Sequence, residues 1–220
     1  MFFVRTESFK QFLRFYPVVS VIVAINLILY LFTRIITLPI FVDLWTLMVG
    51  FNLYIQMGEY WRLLTPIFLH GSVMHVLFNS FSTVLFGPAL ERMLGKFKFI
   101  LAYLLTGVLA NVAYYFLGDL MGSHVGASGA IYGLFGLYAY MIFARRDLID
   151  SQSTQIVVVF VIIGFLTSFG PGINYIAHIF GFITGVALGP VLIDKIKMVI
   201  LMAGNGTEYY FKCKHIILCY

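Results

Sequence analysis

Gly126-Ala127-Ser128-Gly129-Ala130-Ile131-Tyr132-Gly133 opens one apolar segment of this chain, and Ala177-His178-Ile179-Phe180-Gly181 opens another. Gly136 continues the first segment, and Gly185 and Gly189 continue the second. Each therefore presents a polar group at its head and a glycine-lined helix face behind it. Small residues at such spacing let two helix backbones approach closely in lipid, and that approach is what a Ser–His hydrogen bond between two helices requires. Polar groups in a membrane interior are costly enough to mark functional sites.

The rest of the chain supports a membrane setting. Hydrophobic residues make up 61% of the 220 and charged residues 10%, with a mean hydropathy of +0.98. Such a composition excludes an ordinary soluble domain and points to transmembrane helices. Six spans are predicted, over roughly 17–37, 67–90, 97–117, 128–144, 155–169 and 175–193, each bounded by charges, Gly/Pro or polar clusters. The first lacks a small-residue cleavage site and reads as a retained helix, not a signal peptide. Residues 1–16 form a cytoplasmic interfacial segment, in which Phe9, Phe12, Leu13 and Tyr16 fall at helical spacing beside Arg5, Lys10 and Arg14. Residues 17–193 form the six-helix domain and 194–220 a cytoplasmic tail. Cys213 and Cys219, both in that tail, make no CxxC pair and no disulfide framework.

Orientation follows from Lys and Arg. With both termini cytoplasmic, only Arg34 and Arg62 of the 14 basic residues lie outside. The net charge of +5 then tracks cytoplasmic loops and anionic lipid, and calls for no nucleic acid. The connection from 38 to 66 is too interrupted for a span and too apolar for a solvated loop. It reads as a partly embedded extracellular structure packed on protein.

Under this topology the second, fourth and sixth spans all run inward. Counting to the first cytoplasmic charge on each gives 16 residues from His75 to Glu91, 17 from Ser128 to Arg145 and 16 from His178 to Asp194. At about 1.5 Å per residue, all three groups stand roughly 24–26 Å above the inner boundary. Asn79 lies one turn after His75 on the same face, and Tyr132 one turn after Ser128. The fourth span is short and starts below the outer surface, reached by a dipping segment, 118–127, that must be packed on protein or line a wet cavity.

A serine hydroxyl needs a base to take its proton, and His178 is the candidate. No Asp or Glu lies in the spans near this depth, so the prediction is a Ser–His dyad in place of a triad, with Tyr132 stacking on the ring. The His75 and Asn79 side chains and the Ser128 backbone N–H are candidate oxyanion donors. Taken singly, a membrane serine usually packs as a small residue or bonds a backbone carbonyl, and a lone histidine is as readily a helix–helix contact. Their coincidence at one depth carries the functional reading. Metal hydrolysis through His70, His75 and His178 is disfavoured, because His70 and His75 are five apart and HExxH is absent. No metal or cofactor is expected.

At this point the chain resembles the rhomboid intramembrane serine proteases of the minimal six-helix, bacterial type. The matching stretches are Trp61-Arg62, His70-Gly-Ser-Val-Met-His75-Val-Leu-Phe-Asn79, Gly87-Pro-Ala-Leu-Glu91-Arg-Met-Leu-Gly95, Gly126-Ala-Ser128-Gly129 and Ala177-His178-Ile-Phe-Gly181-Phe-Ile-Thr-Gly185. The resemblance implies Ser128 as nucleophile, His178 as base, His75 and Asn79 as oxyanion donors, and Tyr132 packed on His178. Trp61 and Arg62 would hold the first loop, with Gly126 and His70 in support. It further implies membrane-protein substrates cleaved in or near a transmembrane helix, in the cell membrane, and a substrate gate at the fifth span with Gly170-Pro171-Gly172. Two other classes fit the composition: a catalytically silent relative that binds membrane clients, which would be expected to lack the serine or histidine, and a small transporter, whose polar residues would line a path instead of gathering at one level.

Overall fold

Pro17 cannot donate a backbone hydrogen bond and is therefore suited to a helix start; the first long helix begins there. In a computed structural model, residues 2–36, 38–194, 196–203, 206–213 and 216–218 are described. The elements in chain order are α1 (Phe9–Phe15), α2 (Pro17–Tyr30, prolonged by a π-turn over Leu31–Ile35), α3 (Pro39–Met48), β1 (Gly50–Phe51), α4 (Asn52–Gln56), α5 (Val73–Leu94) and α6 (Lys96–Leu117). They continue with β2 (Ser123–His124), α7 (Ser128–Ala144), α8 (Ser151–Thr167) and α9 (Tyr175–Leu192). After α9, β3 (Lys197–Ala203), β4 (Gly206–Cys213) and β5 (Ile216–Leu218) pair antiparallel. Lys195, Lys214, His215 and Cys219, which sequence places on the cytoplasmic side, lie outside the described residues.

The chain is mostly helical, and among the described residues four helices are long and apolar enough to cross a membrane: Pro17–Ile35, Val73–Leu94, Lys96–Leu117 and Tyr175–Leu192. Helices α7 and α8 have 17 residues each and fall just short. For α7 the shortness has a physical reason: it is the central helix, buried along most of its length, so protein surrounds it where lipid would otherwise demand a full span.

Helices α7 and α9 run parallel and in close contact. A Cβ on Gly181 would fall on the Gly129 carbonyl, one on Gly185 on the Gly133 carbonyl, and one on Gly136 on the Phe182 carbonyl. Because 129 and 133 pair with the rising positions 181 and 185 in α9, the two helices share a direction, as expected for the fourth and sixth spans, and the glycine stripes make the close contact. Helix α5 runs the same way, with the His75 ring beside Gly126 and Phe86 edge-on to Phe135 at 4.8 Å between centroids.

Two boundaries differ from the sequence expectation. The second span was expected to begin near residue 67, but α5 starts at Val73, where the Ser72 hydroxyl accepts the His75 N–H. Residues 65–68 make a separate 3-10 turn, and His70 lies in the approach to α5, outside the helix. The helix also runs on past residue 90, through Pro88, to Leu94. Glu91, the first charge of the second span on its expected cytoplasmic side, is buried at 2% exposure. Its carboxylate accepts the Val18 and Val19 N–H groups at 3.0 and 2.9 Å, capping α2 where helix N–H groups lack internal partners.

The connection after α2 carries the irregular backbone. Trp61 Nε1 donates to Leu47 O at 3.1 Å. Arg62, buried at 4% exposure, donates to Thr46 O and Val49 O at 2.7 Å each and pairs with Glu59 at 2.6 Å. Strand β1 then pairs with β2, and Asn52 Nδ2 donates to Asp119 O at 2.8 Å. The first loop is thus laced to the segment that leads into Ser128, which is the protein packing its irregular backbone requires.

Candidate active site

Three helix N-termini converge. Ser128 is the first residue of α7, His75 the third of α5 and His178 the fourth of α9. Local sequence sets each start: Ser72 caps α5, and the Asn174 side chain accepts the Ala177 N–H at 3.0 Å to cap α9. Before α7, Gly126 adopts φ +122°, which other residues rarely adopt, and its N–H donates to Pro66 O at 2.8 Å. A Cβ there would also stand 2.5 Å from His75 Nε2. Glycine at this position therefore serves both the turn into Ser128 and the close approach of the His75 ring.

Ser128 Oγ lies 2.9 Å from His178 Nε2. The His178 ring is 7% exposed and stacks on Tyr132 with centroids 4.2 Å apart and planes within 7°. Ser128 itself is half-buried, as is His75. Asn79 Nδ2 donates to the His75 carbonyl at 2.9 Å, which leaves its second N–H for another acceptor. His70, fully buried, sets its ring edge-on to His75 at 5.0 Å. Trp61 and Arg62 sit in the first loop, away from this cluster and bound to its backbone. Among the described residues no three His, Cys, Asp or Glu side chains gather as a metal site.

One member of the constellation escaped the sequence reading. Ser168, 1% exposed, places its Oγ 2.6 Å from His178 Nδ1 and 2.9 Å from the Tyr132 hydroxyl. The group that meets the far side of the imidazole is a hydroxyl on a different helix end, not a carboxylate. The signal was weak: a Ser two residues before Gly170-Pro171-Gly172 looks like any capping residue.

The arrangement presents a hydroxyl, a nitrogen base oriented from its far side, and polar N–H groups at helix N-termini, all in one cluster. Among known proteins, the Rhomboid domain family matches residues 57–195. A putative rhomboid protease, YdcA of Bacillus subtilis (strain 168), is 44% identical over 196 residues, covering 88% of this chain and 97% of its own length. The rhomboid protease GluP of the same organism is 37% identical over 138 residues, 61% of this chain and 26% of GluP. RHOMBOID-like protein 4 of Arabidopsis thaliana is 36% identical over 140 residues, 62% of this chain and 35% of its own. The chain thus spans nearly all of the first relative and a minor part of the two longer ones.

Proposed function

The chain belongs to the rhomboid family, and from that premise we propose that it is an intramembrane serine endopeptidase acting on membrane proteins in or near a transmembrane segment. The observation that carries this reading is the 2.9 Å contact between Ser128 Oγ and His178 Nε2 at the heads of two parallel, glycine-packed helices. A hydroxyl and an imidazole can both be neutral, which suits a low-dielectric interior where an isolated charge would be expensive.

In the proposed reaction, Ser128 Oγ attacks the scissile carbonyl carbon as its proton passes to His178 Nε2. The carbonyl electrons move onto oxygen. That oxyanion is received by the free Asn79 N–H, the His75 ring and the first-turn N–H groups of α7, which have no intrahelical acceptors. Collapse breaks the C–N bond, and His178 hands its proton to the departing amine. Water then releases the acyl group by the same route in reverse roles, entering past the half-buried Ser128. No step calls for a metal or cofactor.

The topology proposed with this reading has six spans, including the shorter α7 and α8, in the cell membrane with both termini cytoplasmic. A transporter would need polar groups strung along an open path through the bilayer, whereas here Ser128, His178, His75 and Asn79 collect at one end of α5, α7 and α9, and the hydroxyls deeper in, Thr83 and Thr184, bond their own helix backbone. A client-binding relative without activity would have no use for a bonded serine and imidazole.

Purified protein in liposomes, given a reporter transmembrane substrate, tests the assignment. Ser128→Ala and His178→Ala should each lower the cleavage rate at least about a thousandfold, as loss of a nucleophile or its base does in serine proteases. Fluorophosphonate should label the unsubstituted protein at Ser128. Undiminished cleavage by either variant would remove the pair from the reaction.

A further inference from the structure

We propose that Ser168 is a positioning residue that holds His178 in the tautomer able to accept the Ser128 proton, and that α8 delivers this residue to the site. The inference rests on the protease reading above and follows from counting hydrogens.

The Ser168 hydroxyl has one hydrogen and two lone pairs. Three partners surround it: Gly164 O at 2.7 Å, the Tyr132 hydroxyl at 2.9 Å and His178 Nδ1 at 2.6 Å. The Gly164 carbonyl can only accept. It is one of the last four carbonyls of α8, which lack intrahelical backbone donors. Thr167 Oγ1 lies 3.0 Å from it but also 2.9 Å from Ile163 O, and a carbonyl has two lone pairs, so Gly164 O takes the Ser168 hydrogen. Both lone pairs must then receive hydrogens, one from the Tyr132 O–H and one from His178 Nδ1–H. With the ring proton on Nδ1, Nε2 carries the lone pair, and Nε2 is the nitrogen that faces Ser128 Oγ.

The opposite tautomer is penalised. It would need the Ser168 hydrogen turned toward Nδ1, abandoning the bond to Gly164 O, and it would aim an Nε2–H at the hydroxyl that must lose its proton. During turnover the imidazolium keeps the same Nδ1–H bond to Ser168, so the ring is held without rearrangement. A neutral hydroxyl also does this at a depth where a carboxylate would carry a large desolvation cost. Tyr132 contributes twice, through the stacked ring that sets the imidazole plane and through the O–H that occupies the second lone pair of Ser168.

Ser168 is the C-cap of α8, a helix whose only buried residues are Ser153 and Val157, both in its N-terminal half. In the last turn of α8, contacts with the rest of the protein include Ser168, Gly164 against the Tyr132 hydroxyl, and Phe165, edge-on to Tyr132 and Phe182 at 5.1 and 5.4 Å. Displacing that end withdraws the group that fixes the tautomer. The competence of the base is thereby tied to the position of a peripheral helix.

The test uses full-length protein in liposomes with the reporter substrate, Ser128→Ala as reference, and 15N-histidine NMR to read the His178 tautomer. Ser168→Ala should lower kcat about tenfold with KM unchanged, the scale of one lost neutral hydrogen bond. It should also convert the His178 signals from a single Nδ1–H tautomer to a mixture. Ser168→Thr, which keeps the hydroxyl, should restore both readouts. Ser168→Cys, of similar volume but weaker in hydrogen bonding, should behave as the alanine variant does and so guard against a packing effect. The inference is overturned if Ser168→Ala keeps kcat and the tautomer while Ser128→Ala is inactive, or if a folded Ser168→Thr is as impaired as the alanine variant. Cleavage retained by Ser128→Ala would instead overturn the protease reading and this inference with it.

Discussion

A single missing methyl group does much of the positioning in this protein. Gly185 has no side chain, and the Gly133 carbonyl of the neighbouring helix occupies the space where a Cβ would go. Gly185→Ala should therefore push α9 off α7, at a cost of roughly 1–3 kcal/mol, the range for overpacking a close contact. Thermal unfolding in detergent should show the loss, and fluorophosphonate labelling of Ser128 should fall with it, because the same helix pair holds Ser128 and His178 together. A variant with unchanged unfolding and labelling would show that the contact has slack. These glycines were legible from sequence because their spacing matches a helix face and because Ser128 and His178 head the two stripes. Ser168 was not legible, since its role depends on three partners from α7, α8 and α9 meeting at one oxygen. Glu91 misled in a different way. A glutamate at the end of an apolar run reads as the edge of the membrane, yet here the carboxylate is sequestered by two backbone N–H groups of α2, and only the packed helix pair reveals that.

At the scale of elements, the two ends of α8 are held differently. Its N-terminal end is bonded: Ser153 Oγ donates to Asp150 and accepts the Phe2 N–H at 3.0 Å. Nearby, Arg5 donates to Val84 O at 3.0 Å, a carbonyl left without its helical donor because Pro88 has no N–H. The N-terminal residues thus tie together α5, α7 and α8, with Phe3 edge-on to Phe86 and Tyr138. Sequence reading placed residues 1–16 at the interface by the periodicity of α1 and had no signal for this insertion, which depends on the Val84 carbonyl that Pro88 leaves without a helical donor. Toward the outer end, α8 faces α5 through Phe160, whose ring lies 6.4 Å from that of Phe81. If substrate enters between these helices, tying them together should block it. With Cys213 and Cys219 replaced by Ser, a reducible thiol crosslinker joining Phe81→Cys to Phe160→Cys should stop cleavage of the transmembrane reporter and leave fluorophosphonate labelling of Ser128 intact, and reduction should restore cleavage. Unchanged cleavage of the crosslinked protein would remove α8 as the entry side.

Across the whole molecule, charge and geometry together show which end is poor in basic residues. The charge argument leaves Arg34 and Arg62 as its two exceptions, and both have structural work in the first loop. Arg62 is buried beneath it with three partners. Arg34 donates to Gly71 O at 3.2 Å and lies over the Trp45 ring at 4.7 Å. A guanidinium committed to backbone carbonyls and an aromatic face is a poor topology signal, so removing these two strengthens the bias of the other basic residues. Geometry adds that the loop they hold lies at the same end as Ser128, bonded to it through β1 and β2. The end that carries Ser128 and the Arg-poor end are therefore one end, which under the proposed orientation faces away from the cytoplasm. Two exposed positions can report on this in intact cells: Met57, 71% exposed in the first loop, and Asp147, beyond α7 with its side chain 51% exposed. In a Cys213→Ser, Cys219→Ser background, Met57→Cys should react with a membrane-impermeant maleimide from outside, and Asp147→Cys only after permeabilisation. The reverse pattern would turn the active site toward the cytoplasm and make the positive-inside reading wrong for this chain.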